Sequence, residues 1–213
     1  MSAMISRLYL SVIIAAAAGL WALLLVLQGV SVSPVWLRPF SVVIGGMILL
    51  LLAFDRWLWR WRLFHPWFVA KPNLQGTWRG ELVSTWVRPA SAEPLPPIEA
   101  HLVIRQTFSS IRLRLVTQES HSDCLVANIP DDAGGTKCVV GTYLNSPKIL
   151  NRETNPIHHG GMVLRILDGD TCILEGEYWT DRGTKGAMRF ESWSPKLLYD
   201  RRQACKAKYR RKT

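Results

Sequence analysis

Residues 178–184, YWTDRGT, place two aromatic rings, two threonine hydroxyls and an acid–base pair next to one another. Arg182 and the following Lys185 can hold an anion, because a guanidinium binds phosphate oxygens in pairs and an ammonium attracts them as a point charge. The rings of Tyr178 and Trp179 can stack on a planar base. Since neighbouring residues of a strand point to opposite sides, at most one of these rings can face the ligand.

Other residues could complete a site for an anionic, aromatic ligand. Arg152, in a long connection, offers another guanidinium, and His159 offers a titratable hydrogen-bond donor to phosphate. Three more side chains can hydrogen-bond a sugar or a base edge: Asn145, Thr180 and Thr184.

Structural interpretations of the same residues stay open. The turn 181–183 could be an ordinary solvated hairpin, Trp179 a core residue and His159 a structural histidine of a loop. No metal is expected at the His158–His159 pair, because adjacent residues without a third ligand nearby rarely make a metal site.

The elements that would position these residues are β-strands. Past Pro72, apolar and polar residues alternate, which is typical of half-buried strands. Eight such runs with mostly short links predict an eight-stranded antiparallel up-and-down, lipocalin-like β-barrel, since closure removes exposed edges. A five- or six-stranded sandwich is the competing fold. The runs are 76–87, 98–107, 110–118, 121–129, 136–145, 161–168, 171–180 and 185–193.

Strand order places the unusual connections at one mouth of such a barrel. They are the loop 88–97, the aperiodic loop 145–161 and the turn 181–184, and long aperiodic loops are often lids or binding loops. The candidate residues are therefore expected together there. Gly76-Thr77-Trp78 is similar to the Gly-x-Trp that opens lipocalin barrels, although a plain core tryptophan would look the same.

Two uncharged runs predict a membrane anchor. Residues 8–27 are largely apolar and match the roughly 20 residues of a spanning helix, and 39–54 lead into alternating Trp and Arg, which is typical of a membrane–water boundary. A signal peptide or two buried core helices are the alternatives. We predict a two-helix transmembrane hairpin at 1–62, a juxtamembrane linker at 63–72, the barrel at 73–198 and a basic tail at 199–213.

The basic residues predict the orientation. Arg38 is the only basic residue between the predicted spans, whereas four basic residues follow the second span. Segments rich in basic residues tend to stay in the cytoplasm. Both termini and the barrel are then cytoplasmic. Small residues at 15–19 and 45–46 allow close helix packing, either within one hairpin or between subunits.

The net charge of +10 sits outside the predicted barrel. Residues 73–198 hold 13 basic and 14 acidic residues, which argues against a groove for DNA or RNA polymers. The tail holds seven basic residues and is interpreted as a disordered solubilising end that could also attract anionic lipid.

The chain has four cysteines without CxxC spacing. They are interpreted as free thiols, which suits the cytoplasm.

Several short motifs carry a family resemblance. They are Gly76-Thr77-Trp78-x-Gly80, Tyr143-Leu144-Asn145, His158-His159-Gly160 and the stretch 176–186. After two predicted spans, they resemble the membrane effectors of CBASS anti-phage systems, the SMODS-associating two-transmembrane, β-strand-rich family. The resemblance implies that the barrel binds a cyclic nucleotide, with a cyclic dinucleotide favoured. It also implies self-association into homo-oligomers, disruption of the bacterial inner membrane and death of the infected cell.

Three other functions are weighed against this one. A membrane-anchored barrel for an apolar small molecule should have an aliphatic mouth, whereas the candidate residues are polar and basic. A structural membrane adaptor remains possible from the sequence. An enzyme is not expected, and neither is a cofactor, because the chain has no Ser-His-Asp-like set, Gly-rich phosphate loop or helix-borne metal motif.

Overall fold

The computed structural model describes residues 15, 18–19, 21–23, 26–27, 29, 34–65, 67–87, 95–130, 137–167, 169 and 171–212. Within it the chain divides into two compact units, Met1–Trp59 and Arg60–Thr213.

The first unit contains helix α1, Pro34–Arg56. Proline suits the first turn of a helix, where its missing N–H is not needed, and Arg56 in the last turn complements the helix dipole. The predicted second apolar run lies within α1, whereas most of the predicted first span, 8–27, lies outside the described residues. Among the residues that are described, no helix has the length and apolar character needed to span a bilayer.

The second unit is a closed antiparallel barrel in which each strand pairs with the next and the last pairs with the first. The predicted eight-stranded up-and-down barrel is thus confirmed, and the sandwich alternative is wrong. The strands are β1 (Gly76–Ser84), β2 (Ile98–Gln106), β3 (Ile111–Val116), β4 (Ser120–Asn128), β5 (Cys138–Pro147), β6 (His158–Leu167), β7 (Ile173–Thr180) and β8 (Lys185–Ser194).

Alternating side chains fill the barrel, as the period-two pattern requires. On β2, for example, Ala100, Leu102 and Ile104 belong to the core, and Arg105, the next residue along the strand, is exposed. The end that carries the β2–β3, β4–β5 and β6–β7 connections is here called the base, and the opposite end is the mouth.

Trp78 closes the base. Its ring is fully buried, and its indole N–H donates to the Leu74 carbonyl at 2.9 Å. The Gln106 side chain, at the end of β2, holds the segment before β1 at the base. It accepts from the Leu74 N–H at 2.8 Å and donates to the Pro72 carbonyl at 2.9 Å. The tryptophan of the Gly-x-Trp motif therefore lies at the closed end of the barrel.

The segment before β1 packs into this unit. Val69 and Leu74 are each 1% exposed, and the Arg60 guanidinium donates to the Gln75 side chain and to the Gln106 carbonyl, both at 2.6 Å. Much of the stretch 63–72, expected as a linker, thus belongs to the same compact unit as the strands.

The C-terminal tail is ordered through residue 212, so the expectation of a disordered end is wrong. A short helix, α2 (Arg201–Lys206), starts at Asp200, whose carboxylate accepts from two backbone N–H groups of the first turn. The chain then forms single β-bridges from Arg210 to Trp193 and from Lys212 to Cys172.

The long loop between β5 and β6 is shorter than predicted. β5 continues to Pro147 and β6 begins at His158, so both strands extend into the segment 145–161. Residues 148–157 remain as the connection and include a short 3-10 helix, Ile149–Asn151. His158 and His159 consequently lie on a strand rather than in a loop.

Candidate ligand-binding site

Three rows of inward-facing residues line the barrel interior next to the mouth, and we call them the polar rows. Residues paired across strands share a face, and the core contacts of Tyr143, Met162 and Tyr178 show that this face is the inner one. The first row is Ser122, Asn145 and His158; the second is Cys124, Tyr143, Gly160 and Thr180; the third is Ser84, Met162, Tyr178 and Gly186.

Two tyrosines dominate the polar rows, and glycines make room for their rings. A Cβ atom on Gly160 would lie 2.4 Å from the Tyr143 ring, and one on Gly186 would lie 2.6 Å from the Tyr178 ring. Glycine is therefore required at both positions for the rings to stay where they are. The result is two aromatic rings that face the interior from adjacent rows.

Both phenols are held in the neutral form. Burial, followed by the nearby Tyr178 and Asp181, raises the pKa of the Tyr143 phenol well above its ordinary value. Burial also raises the pKa of Tyr178, and a hydrogen bond with the Ser84 side chain opposes this rise. At neutral pH each hydroxyl can therefore donate to a ligand as well as accept from it.

Two pairs of polar side chains near the mouth are hydrogen-bonded to each other. The Ser122 hydroxyl donates to the Asn145 side-chain oxygen at 3.0 Å, and both residues are buried. The Thr180 and Thr184 hydroxyls are 2.6 Å apart. These pairs fix the positions of amide and hydroxyl groups before any ligand arrives, which reduces the ordering cost of binding.

The β7–β8 turn sets which predicted residues face inward. Thr180 and Thr184 pair through a backbone hydrogen bond of 2.9 Å, so the hairpin loop has only three residues. Its last residue, Gly183, has φ 76°, as the favoured three-residue hairpin requires. The Thr184 side chain therefore lies beside that of Thr180, while Lys185 pairs with Trp179 on the outer face.

The structure brings together four of the eight predicted site residues, namely Asn145, Tyr178, Thr180 and Thr184. Lys185 and His159 do not join them. Lys185 is exposed on the outer wall, and His159 is outward on β6, with its ring nitrogen 3.7 Å from the Asp181 carboxylate.

The two predicted arginines lie in the mouth connections. Arg182 donates to the Asn155 side chain at 2.9 Å, which ties the β7–β8 turn to the β5–β6 connection. Arg152 donates to the Pro147 carbonyl at 3.3 Å. Among the described members of the polar rows, none is Lys or Arg. Anionic groups of a ligand would there meet hydroxyl, amide and imidazole groups, with the arginines at the rim.

Eight of the eleven residues of the polar rows were not selected from the sequence, among them Ser84, Ser122, Tyr143 and His158. Tyr143 could have been found, because it is two residues from Asn145 and must share its face. Ser84 and Ser122 carried no comparable signal, since their positions depend on the register of distant strands.

Comparisons with known proteins agree with this architecture. Residues 69–192, more than half of the chain, match the family described as Cap15, cyclic dinucleotide receptor domain. A CD-NTase-associated protein 15 from Yersinia aleksiciae is 33% identical over 159 residues, which cover 70% of this chain and 69% of the relative. One from Staphylococcus schleiferi is 25% identical over 160 residues, which cover 73% and 80% of the two chains.

These matches confirm the resemblance that the sequence motifs indicated. The family match covers seven strands and most of β8, and it includes all three polar rows. The chain belongs to the Cap15 family of CBASS effectors.

Proposed function

We propose that the mouth end of the barrel binds a cyclic dinucleotide and that binding triggers the effector. The single observation that carries this proposal is the pair of inward-facing tyrosines in the polar rows, within a domain that matches a family of cyclic dinucleotide receptors. Two aromatic rings suit a ligand that carries two bases.

The chemistry of the polar rows supports this ligand class. Base stacking on an aromatic ring contributes roughly 1–3 kcal/mol. The neutral phenols and the Asn145 amide can hydrogen-bond phosphate oxygens, sugar hydroxyls or base edges. An aliphatic ligand could make no hydrogen bonds with these polar groups, so the polar rows disfavour the apolar-carrier alternative. The barrel acts in this proposal by binding, without catalysis.

The output we propose is association of transmembrane hairpins in the bacterial inner membrane. Two features of the sequence support it: the uncharged runs 8–27 and 39–54, and the basic residues after the second run, which favour cytoplasmic termini. Ligand binding would then favour homo-oligomers, whose clustered hairpins disrupt the membrane and kill the infected cell.

Calorimetry on the full chain in detergent micelles tests ligand binding. The titrants are cyclic dinucleotides that carry different combinations of two bases, cyclic trinucleotides and the corresponding linear dinucleotides. We expect one or more cyclic dinucleotides to bind with a stoichiometry of about one per barrel and the linear forms to bind more weakly, because cyclisation reduces the ordering cost. If no cyclic nucleotide binds, the ligand assignment is wrong.

Alkaline extraction of cell membranes tests the anchor separately. The full chain should stay with the membrane pellet, and a variant that starts at residue 60 should appear in the supernatant. Release of the full chain by alkali would contradict the proposed hairpin without affecting the calorimetric result.

A further inference from the structure

A second cluster of polar side chains lies on the outer wall of the barrel. Glu99 and His101 are two residues apart on β2 and share its outer face, because Ala100 between them belongs to the core. The ordered tail contributes Cys205 from α2. One carboxylate oxygen, one imidazole nitrogen and the sulfur of these three residues all lie within 4.8 Å of one another.

His101 is the unusual member of this cluster. Its side chain is fully buried, and neither ring nitrogen has a hydrogen-bond partner. Leaving a buried polar group without a partner is unfavourable, and such groups in folded proteins usually bind water or an ion. The Tyr209 hydroxyl is also buried without a partner, and its ring centroid is 6.0 Å from that of His101.

We propose that Glu99, His101 and Cys205 bind a zinc-like transition-metal ion that fastens the C-terminal segment to β2. A nitrogen, a sulfur and a carboxylate oxygen are the ligand types that Zn²⁺ takes in proteins, whereas Mg²⁺ and Ca²⁺ take oxygen. Three protein ligands leave a fourth position for water. Cys205 is exposed, so the ion can reach the site from solvent.

The surroundings of Glu99 resemble the outer shell of a metal site. Arg79 contacts one carboxylate oxygen at 2.7 Å, and Arg201 lies 3.6 Å from the other. Hydrogen bonds of this kind orient a carboxylate ligand. A carboxylate has about four lone-pair sites, so these contacts leave room for a metal. The two guanidinium charges also repel a cation, and we therefore expect weaker binding than at zinc sites with four protein ligands.

Cobalt absorption on the metal-free full chain in detergent tests the site. Co²⁺ added to the wild type should give the thiolate-to-cobalt charge-transfer band in the near ultraviolet, and Zn²⁺ should displace it. Cys205→Ser should abolish the band, and His101→Gln should weaken Zn²⁺ affinity at least about 100-fold, the upper end of the losses seen for outer-shell partners. Cys138→Ser is the matched control, because it removes a thiol from β5, a strand that supplies none of the three proposed ligands.

Two results would overturn the proposal: absence of the band in the wild type, or its persistence in Cys205→Ser. Because Cys205 is exposed, this variant should fold even if His101→Gln does not, and circular dichroism checks both. The test uses no nucleotide, so it is independent of the proposed ligand.

Discussion

At the scale of single residues, the polar rows combine side chains that would each be unremarkable alone. Tyr143 and Tyr178 face the interior because of the register of their strands, and a glycine opposite each one on the neighbouring strand makes room for its ring. Lys185 shows how much depends on register. Its side chain was expected at the mouth, but the three-residue hairpin loop places it opposite Trp179, outside the barrel. Residue type and spacing therefore indicated a candidate chemistry, whereas the face of each residue required the pairing of distant strands.

Replacing Tyr178 tests its role in binding. Tyr178→Ala should weaken the affinity for the preferred cyclic dinucleotide about 5- to 150-fold, because a stacking surface is lost. Tyr178→Phe should retain most of the affinity if stacking dominates. Tyr199→Ala, at an exposed residue outside the strands, is the control in the same calorimetric titration. Equal affinity in Tyr178→Ala and the wild type would remove Tyr178 from the site.

Gly160 tests whether the space beside Tyr143 is needed. In Gly160→Ala the new Cβ would lie 2.4 Å from the Tyr143 ring and 2.5 Å from the Trp179 carbonyl, so the backbone has to shift. We expect a loss of about 1–3 kcal/mol in the free energy of unfolding, measured by urea denaturation. Gly169→Ala is the control, since its Cβ would meet nothing within 4 Å, and it should change stability by less than about 0.5 kcal/mol. Similar losses in the two variants would argue against this packing.

The raised pKa of Tyr143 predicts a stability loss in alkali. Because burial raises the pKa in the folded state, the unfolded chain releases this proton first as the pH rises above about 10. Stability should then fall by up to about 1.4 kcal/mol per pH unit from this group. Tm values measured from pH 9 to 11 should fall less steeply in Tyr143→Phe than in the wild type. Parallel curves would show that Tyr143 does not govern the alkaline loss.

At the scale of elements, the sequence pattern identified all eight strands, because alternation and turn residues are local signals. The tail was missed because its order comes from contacts between distant residues. Lys212 lies 4.7 Å from the centre of the Trp193 ring, and Arg210 lies 5.2 Å from it. Such cation–π contacts cannot be read from a run of basic residues, which looks like a solvated end. The shorter β5–β6 connection was missed for a related reason, since pairing of Ser146 and Pro147 with β4 extends β5, and pairing of His158 with Asn145 extends β6.

Truncation after residue 206 tests the contribution of the ordered tail. The variant loses two β-bridges and the contacts of Arg210 and Lys212 with Trp193, so its free energy of unfolding should fall by at least about 1 kcal/mol. Lys206→Ala, at an exposed position of α2, should have little effect.

Ligand affinity should not change in the same truncation, because Trp193 lies near the base and the polar rows lie near the mouth. Weaker association with anionic vesicles is also expected, since the cut removes four of the seven basic residues. A loss of nucleotide affinity would connect the tail to the site and contradict this separation.

At the scale of the whole molecule, the proposed effector couples a binding event in the barrel to events in the bilayer. A ligand can promote association only if it binds the associated state more tightly than the free chain. The coupling is therefore an equilibrium property that can be measured.

Reconstituted vesicles test this coupling. With the full chain inserted, the preferred cyclic dinucleotide should increase chemical cross-linking between chains and release a trapped dye. Tyr178→Ala at the same nucleotide concentration should do neither, and Tyr199→Ala should behave as the wild type. Dye release that does not depend on nucleotide would contradict a ligand-triggered output.

The pairing of β8 with β1 has a consequence for how such chains could assemble. Open sheets can grow by templated strand addition, which runs to fibres without any signal. Here the backbone N–H and C=O groups of the first and last strands are already engaged with each other. Contacts between barrels therefore cannot use a free edge of β1 or β8, and they fall mainly to side chains. Side-chain contacts are weak enough to reverse, so a small molecule could control assembly and its removal could end it.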